Sequence, residues 1–147
     1  MKIAVAADHG GFHLKEHVRG LLADMGHDVV DVGAHTPEAV DYPPVARDAA
    51  QLVGSGDADL GVLCCGSGVG VTIVANKVRG VRAVNGHDPA EAELARRHND
   101  ANVLGLGGRN LGRHEAEAIV VAFVLGEFEG GRHARRVGQI EGLQTPA

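Results

Sequence analysis

A cysteine at the start of a glycine-rich turn is the first feature of this chain that could do chemistry. Cys65 ends the apolar run 60–65, a pattern typical of a strand buried on both faces. Three glycines follow at alternate positions, Gly66, Gly68 and Gly70. If residues 71–76 form a helix, strand, turn and helix N-terminus would surround an anion or a developing oxyanion with backbone N–H groups. A thiol in that position is favoured as a thiolate, so Cys65 is a candidate base or nucleophile.

Two other interpretations of the turn stay open at this point. It could be a tight strand-to-helix turn with a structural cysteine, or part of a dinucleotide site. The dinucleotide pattern G-x-G-x-x-G would need glycine where Val71 stands. Asp88 lies at a suitable distance to bind a ribose, but Asp88-Pro89 is more typical of a helix start. The remaining polar residues favour a catalytic anion pocket.

Successive side chains of a strand point to opposite faces, so only one of two adjacent cysteines can face a pocket. Cys65 is next to Gly66 and is the candidate, whereas Cys64 is predicted to be a small core residue.

Other polar residues could act together with Cys65. Asp8 and His9 follow the first predicted strand, and His98 closes a predicted helix. Arg132 and Arg136 lie four residues apart, a spacing that can clamp a phosphate between two guanidinium groups. Each of these residues also has a simpler explanation. Asp8 can cap a helix, His98 can interact favourably with the helix dipole, and Arg132 and Arg136 can form a solvated basic face.

A metal site receives little support from the sequence. His13 and His17 have helical metal-pair spacing, but no third ligand is evident, so a surface pair is expected. No metal and no cofactor are predicted.

The elements that must position these residues alternate between strand and helix five times. Predicted strands cover 2–7, 28–32, 60–65, 81–85 and 103–106, and predicted helices cover 12–25, 44–53, 71–76, 89–98, 114–125 and about 131–140. This alternation predicts an α/β fold with a parallel sheet and helices on both faces. In such folds the active site lies at the carboxyl ends of the strands.

Length and composition restrict the remaining possibilities. The 147 residues suit one domain, residues 1–147, and the net charge of −5 without a basic stripe argues against a nucleic-acid partner. No apolar stretch approaches membrane-spanning length. The first strand leaves no room for a signal peptide, and two adjacent cysteines suggest reduced thiols, so a cytoplasmic location is expected.

Taken together, the motifs resemble the type B ribose-5-phosphate isomerases of the ribose/galactose isomerase family, over nearly the whole chain. The matching stretches are Asp8-His9, Asp41-Tyr42-Pro43, the loop from Cys65 to Gly70, Ala75-Asn76-Lys77, the run from Arg97 to Asn102, and the run from Glu129 to His133. The resemblance implies a three-layer α/β/α sandwich with a Rossmann-like, five-stranded parallel sheet. It also implies a dimer or tetramer with active sites between subunits, and a C-terminal helix from about residue 131 that contributes to the interface.

The resemblance further implies an aldose–ketose isomerase that interconverts ribose 5-phosphate and ribulose 5-phosphate through an enediolate. The implied catalytic residues are Cys65, His98, Ser67 and Asp8. Cys65 would be the base between carbons 1 and 2, and His98 would open the furanose ring. Ser67 stands where many members have threonine. Some members use a glutamate on the loop helix instead of the cysteine, a route that 71–73 does not offer here.

The implied substrate-binding residues include backbone and side-chain groups of the turn and several phosphate ligands. They are His9, Tyr42, Gly66, Gly68, Val69, Gly70, Asn99, Arg109, Arg132 and Arg136. Segments 34–41 and 84–87 are expected to shape the sugar end. The substrate stays open among ribose 5-phosphate, allose 6-phosphate, galactose 6-phosphate and tetrose phosphates. A non-catalytic nucleotide-binding module is the alternative from another class.

Overall fold

The computed structural model describes residues 1–143, in which five parallel strands lie between two layers of helices. The strands are β1 Lys2–Ala7, β2 Asp28–Gly33, β3 Leu60–Cys65, β4 Ala83–Asn85 and β5 Val103–Gly107. The helices are α1 Phe12–Asp24, α2 Tyr42–Ser55, α3 Val69–Ala75, α4 Pro89–Asn99, α5 Arg113–Leu125 and α6 Arg132–Gly142. The predicted α/β sandwich is confirmed; residues 144–147 of the predicted domain lie outside the described part of the chain.

The strand order β2-β1-β3-β5-β4 places β3 at the centre of the sheet, between β1 and β5. All four pairings are parallel. The carboxyl ends of β1, β3 and β5 are therefore adjacent, and the segments that follow them meet at one edge. This edge carries Asp8, Cys65 and Arg109.

Most element boundaries differ from the predicted ones by one or two residues, and two of these differences have a clear local reason. α3 begins at Val69 instead of residue 71, because Gly68 has φ of +79° and already serves as its N-cap. β4 begins at Ala83 instead of Val81, because the Val81 N–H donates to the Val78 carbonyl in a turn.

The strands are apolar throughout because both faces of the sheet are covered. One face packs against α1, α4 and α5, with Val18, Ile119 and Phe123 fully buried. The other face packs against α2 and α3, where Ala46, Ala49 and Ala50 of α2 let that helix approach closely. Cys64 belongs to the first layer and Cys65 to the second, as the strand periodicity predicted.

No helix within residues 1–143 has both the length and the apolar character that a bilayer crossing would require.

A buried cation fixes α1, the helix that follows Asp8. The Lys15 side chain is wholly buried, and its Nζ donates to Asp31 Oδ1 at 2.9 Å and Oδ2 at 3.1 Å. It also donates to the Ala34 carbonyl and lies 5.3 Å from the centre of the Phe12 ring. An ammonium group without solvent needs such compensation, so this contact ties α1 to β2.

We expect Asp31→Asn to lower the free energy of unfolding by about 3 kcal/mol, the low end for breaking a buried ion pair. Glu16, 3.9 Å from Lys15 Nζ, would retain part of the compensation. Urea denaturation measures the change. The control Asp48→Asn removes a carboxylate paired with Arg47 at the surface and should cost less than about 1 kcal/mol. Equal small losses in both variants would contradict a buried, paired Lys15.

Candidate active site

A cavity of about 440 Å³ opens at the carboxyl ends of β1, β3 and β5. Most of the predicted site residues line it: Asp8, Tyr42, Cys65, Gly66, Ser67, Val69, Gly70 and Arg109. Ile73 and Asn110 also line it, although sequence reasoning did not single them out. The cavity therefore combines one thiol, one carboxylate, one guanidinium, a phenol and a stretch of exposed backbone.

The Cys65 side chain faces this cavity, and a backbone amide faces its sulphur atom. The Gly68 N–H donates to Cys65 Sγ over 3.1 Å, so the positive end of a peptide dipole points at the sulphur. Cys64, in contrast, is fully buried in the opposite layer, and burial raises the pKa of its thiol, with Cys65 adding to the effect. Only Cys65 is placed to react with a molecule in the cavity.

The glycine turn is held in shape by hydrogen bonds of its own. The Val69 N–H donates to Ser67 Oγ at 3.2 Å, and Thr72 Oγ1 donates to the Gly68 carbonyl at 2.7 Å. Gly68 needs its positive φ of +79°, which L side chains rarely adopt. The turn can therefore present backbone amides to the cavity without rearranging.

Strand β5 provides the surface on which this turn lies. A Cβ atom on Gly105 would be 2.1 Å from Thr72 Oγ1, and one on Gly107 would be 2.7 Å from the Ser67 carbonyl oxygen. The alternate glycines of the pattern Val-Leu-Gly-Leu-Gly were the sequence signal for this contact. Sequence reasoning passed over them because it assigned this run only as a strand.

Asn85, at the end of β4, lies against the other side of the turn. Its Nδ2 donates to the Ser67 carbonyl at 3.4 Å, and its Oδ1 is buried without a hydrogen-bond partner among residues 1–143. Asn85 therefore supports the turn from behind. Neither 84–87 nor 34–41 lines the cavity of one chain, and the expectation that these segments shape the sugar end stays a prediction.

One negative and one positive side chain line the cavity. The Asp8 carboxylate is mostly buried and accepts a hydrogen bond from the Gly11 N–H at 3.1 Å. The Arg109 guanidinium lies 3.0 Å from the point that a Cβ on Gly66 would occupy. The Arg109 N–H donates to the Gly66 carbonyl at 3.0 Å, so this cation is fixed to the glycine turn through the backbone.

Tyr42 closes the side of the cavity next to the N-terminus of α3. A Cβ on Gly70 would lie 2.6 Å from the Tyr42 ring, so the ring rests directly on the glycine. This contact explains why the position is glycine, and it directs the phenol into the cavity.

The other predicted site residues do not line this cavity. Gly68 belongs to the turn but is not among the lining residues, and His9 is exposed with its Nδ1 3.3 Å from the backbone of Val40. The remaining four lie within two helices: His98 and Asn99 are the last residues of α4, and Arg132 and Arg136 belong to the N-terminal half of α6. Because α4 runs back from the end of β4 to the start of β5, its last residues lie at the amino ends of the strands. One chain thus carries two separate groups of candidate residues.

The contacts of Asp88, His13 and His17 argue against the ribose site and the metal pair considered for them. Asp88 is the N-cap of α4, and its Oδ1 accepts from the Glu91 N–H at 2.8 Å, so it is engaged in starting a helix. His13 and His17 share no ligand: His17 contacts Glu117 at 2.7 Å, while His13 packs on the Phe12 ring.

One trio within residues 1–143 has ligand-type atoms close together, His98, Glu129 and His133, within 4.8 Å of one another. The two imidazole rings are stacked with planes 5° apart. Their nitrogen lone pairs therefore lie in two separate, nearly parallel planes and cannot both point at one ion, as tetrahedral coordination would require. The arrangement fits a contact between side chains better than a metal site.

Comparison with known proteins agrees with this geometry over almost the entire chain. A family model described as ribose/galactose isomerase matches residues 3–140. Ribose-5-phosphate isomerase B of Escherichia coli (strain K12) is 44% identical over 97% of this chain and 96% of its own length. The chain belongs to the ribose/galactose isomerase family.

Solved structures of similar proteins extend this result to the fold. Ribose-5-phosphate isomerase B of Clostridium thermocellum superposes with a TM-score of 0.96 at 44% identity, covering 98% of this chain and 97% of that one. The Mycoplasma genitalium enzyme of the same name, with ribulose 5-phosphate bound, gives 0.94 at 41% identity, over 99% and 97% of the two chains. The predicted resemblance to the ribose/galactose isomerase family is confirmed.

The difference between the two cysteines leads to a direct prediction. We expect iodoacetamide to modify one thiol per folded chain, and peptide mapping by mass spectrometry should locate it at Cys65. Cys64→Ser should leave the labelling rate nearly unchanged, whereas Cys65→Ser should abolish labelling of the folded protein. Fast modification of Cys64 in the folded chain would contradict the assignment of Cys65 to the cavity.

Proposed function

We propose that this chain is an aldose–ketose isomerase that interconverts ribose 5-phosphate and ribulose 5-phosphate. The observation that carries the proposal is the Cys65 thiol beside an amide-lined turn, in a cavity that also holds Arg109. The reaction requires one base that reaches two adjacent carbons, donors for an oxyanion, and a cation for the phosphate. These groups surround one cavity.

In the proposed mechanism the Cys65 thiolate removes the proton from C2 of the open-chain aldose and returns it to C1. The charge that develops on the oxygen atoms is stabilised by the amides of the 66–70 turn and by Ser67 Oγ. A positioned base typically contributes about 10²–10⁴-fold to the rate, and an oxyanion donor about 10²–10³-fold. The chain itself supplies base and donors, so this chemistry needs no metal and no redox cofactor.

Arg109 is proposed to bind the phosphate, and Asp8 and Tyr42 the sugar hydroxyl groups. Within residues 1–143 the Arg109 side chain forms no ion pair, so its guanidinium is available to a ligand. Phosphate is remote from the reacting carbons and supplies binding energy that positions them.

We further propose that a second copy of the chain completes the site with His98, Asn99, Arg132 and Arg136. These residues lie at the opposite end of the sheet from Cys65, so one chain cannot bring both groups to one substrate. Arg132 and Arg136 are exposed and form no ion pair within residues 1–143. Beside the cavity, Val69 and Ile73 expose about half of their apolar side chains, as expected of a contact surface. The proposed assembly is a homodimer or homotetramer with α6 at the interface.

His9, which follows Asp8 and is exposed, is proposed as a further phosphate ligand. We also propose the cytoplasm as the compartment, because the adjacent cysteines are both free.

The substrate is tested by a coupled assay over four-, five- and six-carbon aldose phosphates. Highest catalytic efficiency with ribose 5-phosphate supports the proposal, whereas preference for allose 6-phosphate, galactose 6-phosphate or a tetrose phosphate would assign the same chemistry to another sugar. Saturable binding of adenine nucleotides without isomerase turnover would favour the nucleotide-binding module instead. The helix-capping role of Asp88 argues against that module.

Replacing the two cysteines separately tests the base. We expect Cys65→Ala to lower kcat for ribose 5-phosphate by about 10²-fold or more, as for loss of a positioned base. Cys64→Ala serves as the matched control because it removes the neighbouring thiol from the opposite layer. It should cost stability but little activity per folded molecule. Equal turnover by the two variants would refute Cys65 as the base.

Mixing two inactive variants tests the shared site. Cys65→Ala removes the base from one group of residues, and the double variant Arg132→Ala/Arg136→Ala removes phosphate ligands from the other. In a mixed dimer one site carries both defects and the other carries neither. We therefore expect activity to return after co-refolding, to about a quarter of the wild-type level if chains pair at random: half of the dimers are then mixed and each has one intact site. Absence of recovery, despite mixed dimers detected by native mass spectrometry, would place the complete site within one chain.

A further inference from the structure

His98 is held by two neighbours that sequence reasoning did not connect with it. The rings of His98 and His133 are stacked, with centroids 4.3 Å apart and planes within 5°. Glu129 Oε2 lies 3.6 Å from His98 Nε2 and 3.5 Å from His133 Nε2. A single carboxylate oxygen therefore faces the same edge of both rings.

Glu129 is itself fixed relative to α4. Its backbone N–H donates to the Arg97 carbonyl at 3.0 Å, and its Oε1 accepts from Arg97 Nε at 3.0 Å. The hydrogen bond from Arg97 lowers the pKa of Glu129, so the group is a carboxylate at neutral pH. The position of this charge is thus set by the residue that precedes His98 in the sequence.

His133 completes the contact as a flat, mostly buried platform. Its side chain is 10% exposed, against 37% for His98. Burial is the main cause that lowers the pKa of His133; the His98, Arg132 and Arg136 charges act in the same direction, and Glu129 opposes them. Because a neutral His133 does not pair with the Glu129 carboxylate, that charge can interact with a protonated His98. The charged groups around the pair are Arg97 on α4, Glu129 before α6, and Arg132 and Arg136 on α6.

We propose that Glu129 and His133 are positioning residues for His98, which they orient and support electrostatically while it opens the sugar ring. This inference rests on the proposed function, in which His98 acts on the substrate of a neighbouring subunit. With Nε2 directed at Glu129, Nδ1 is left for the sugar; within residues 1–143 it forms no hydrogen bond.

The chemistry of ring opening explains why both neighbours matter. The C1–O4 bond breaks, a C1=O1 double bond forms, and the proton of the O1 hydroxyl passes to O4. His98 takes this proton from O1 and delivers it to O4, so no proton is consumed overall. While it carries the proton, His98 is an imidazolium, which the Glu129 carboxylate stabilises. Stacking on His133 keeps an otherwise partly exposed ring in one plane.

The experiment separates ring opening from the proton transfer at Cys65. Isomerisation of ribose 5-phosphate requires both steps, whereas exchange of the C1 proton of ribulose 5-phosphate with deuterated solvent requires only the second. Ribulose 5-phosphate cannot form a furanose because its O5 is esterified. The variants are Glu129→Gln, which keeps the shape and removes the charge, and His133→Phe, which keeps a flat ring and removes the nitrogens. Glu93→Gln is the control, since Glu93 also contacts Arg97, at 3.4 Å, but does not face His98.

We expect Glu129→Gln to lower the isomerisation rate by about tenfold or more, part of the 10²–10⁴-fold of a positioned acid–base group. Deuterium exchange should stay within about twofold of the wild type. His133→Phe should likewise reduce isomerisation selectively, and Glu93→Gln should change neither rate.

Equal losses of isomerisation and exchange in Glu129→Gln would overturn the proposal, since Glu129 would then merely maintain the structure. If Glu129→Gln does not fold, Glu129→Asp is tested by the same criteria, because its side chain is one methylene group shorter and holds the carboxylate further from His98. The ¹⁵N NMR shifts of the His98 ring, assigned with His98→Asn, give a readout that needs no turnover, because they report which ring nitrogen carries the proton. Glu129 Oε2 faces Nε2, so the preference for a proton on Nε2 should weaken in Glu129→Gln and persist in Glu93→Gln. This holds even if ribose 5-phosphate proves not to be the substrate, so failure of the two proposals can be distinguished.

Discussion

The close approach of two backbone segments, the glycine turn after β3 and the segment after β5, is the constraint on which the rest of the site depends. The Gly108 N–H donates to the Cys65 carbonyl at 2.8 Å, and the Arg109 N–H donates to the Gly66 carbonyl at 3.0 Å. These bonds form only because β5 presents glycine at 105 and 107, where side chains would collide with the turn. Thiol, amides and guanidinium are therefore positioned by one contact, and a displacement of about 1 Å there can cost about 10²-fold in rate.

That contact also explains the distribution of charge in the cavity. A turn built from backbone amides offers donors without adding a full charge beside the thiol, so it can stabilise an oxyanion and a thiolate in turn. The one cation of the lining, Arg109, has its guanidinium beside Gly66 at the start of the turn, and it is the lining group proposed to bind the phosphate.

The sequence predicted those features that follow from local periodicity or from the topology of a parallel sheet. The fold, the strand ends and the separation of Cys64 from Cys65 belong to this class. The sequence did not predict contacts between residues distant in the chain. These are Gly105 with Thr72, Asn85 with the glycine turn, and Glu129 with His98. Each of these pairs depends on which strands and helices are neighbours, and an apolar or polar pattern along the chain does not contain that information. The placement of His98 away from Cys65 could have been deduced, because a crossover helix must return to the amino ends of the strands.

The separation of the two groups of residues has a physical consequence for the proposed assembly. The far group is already ordered within one chain: Arg82 pairs with Glu141 of α6 and with Asp100 after α4, the latter at 3.2 Å, and Arg97 holds Glu129. Each chain thus offers two preformed half-sites, and association would join them without ordering new backbone, which keeps the entropic cost of completing the site low. Binding of substrate between two chains then favours the associated state by mass action, so substrate and subunit affinity are linked. Under this proposal, dilution of the protein removes catalysis at a concentration where each chain is still folded.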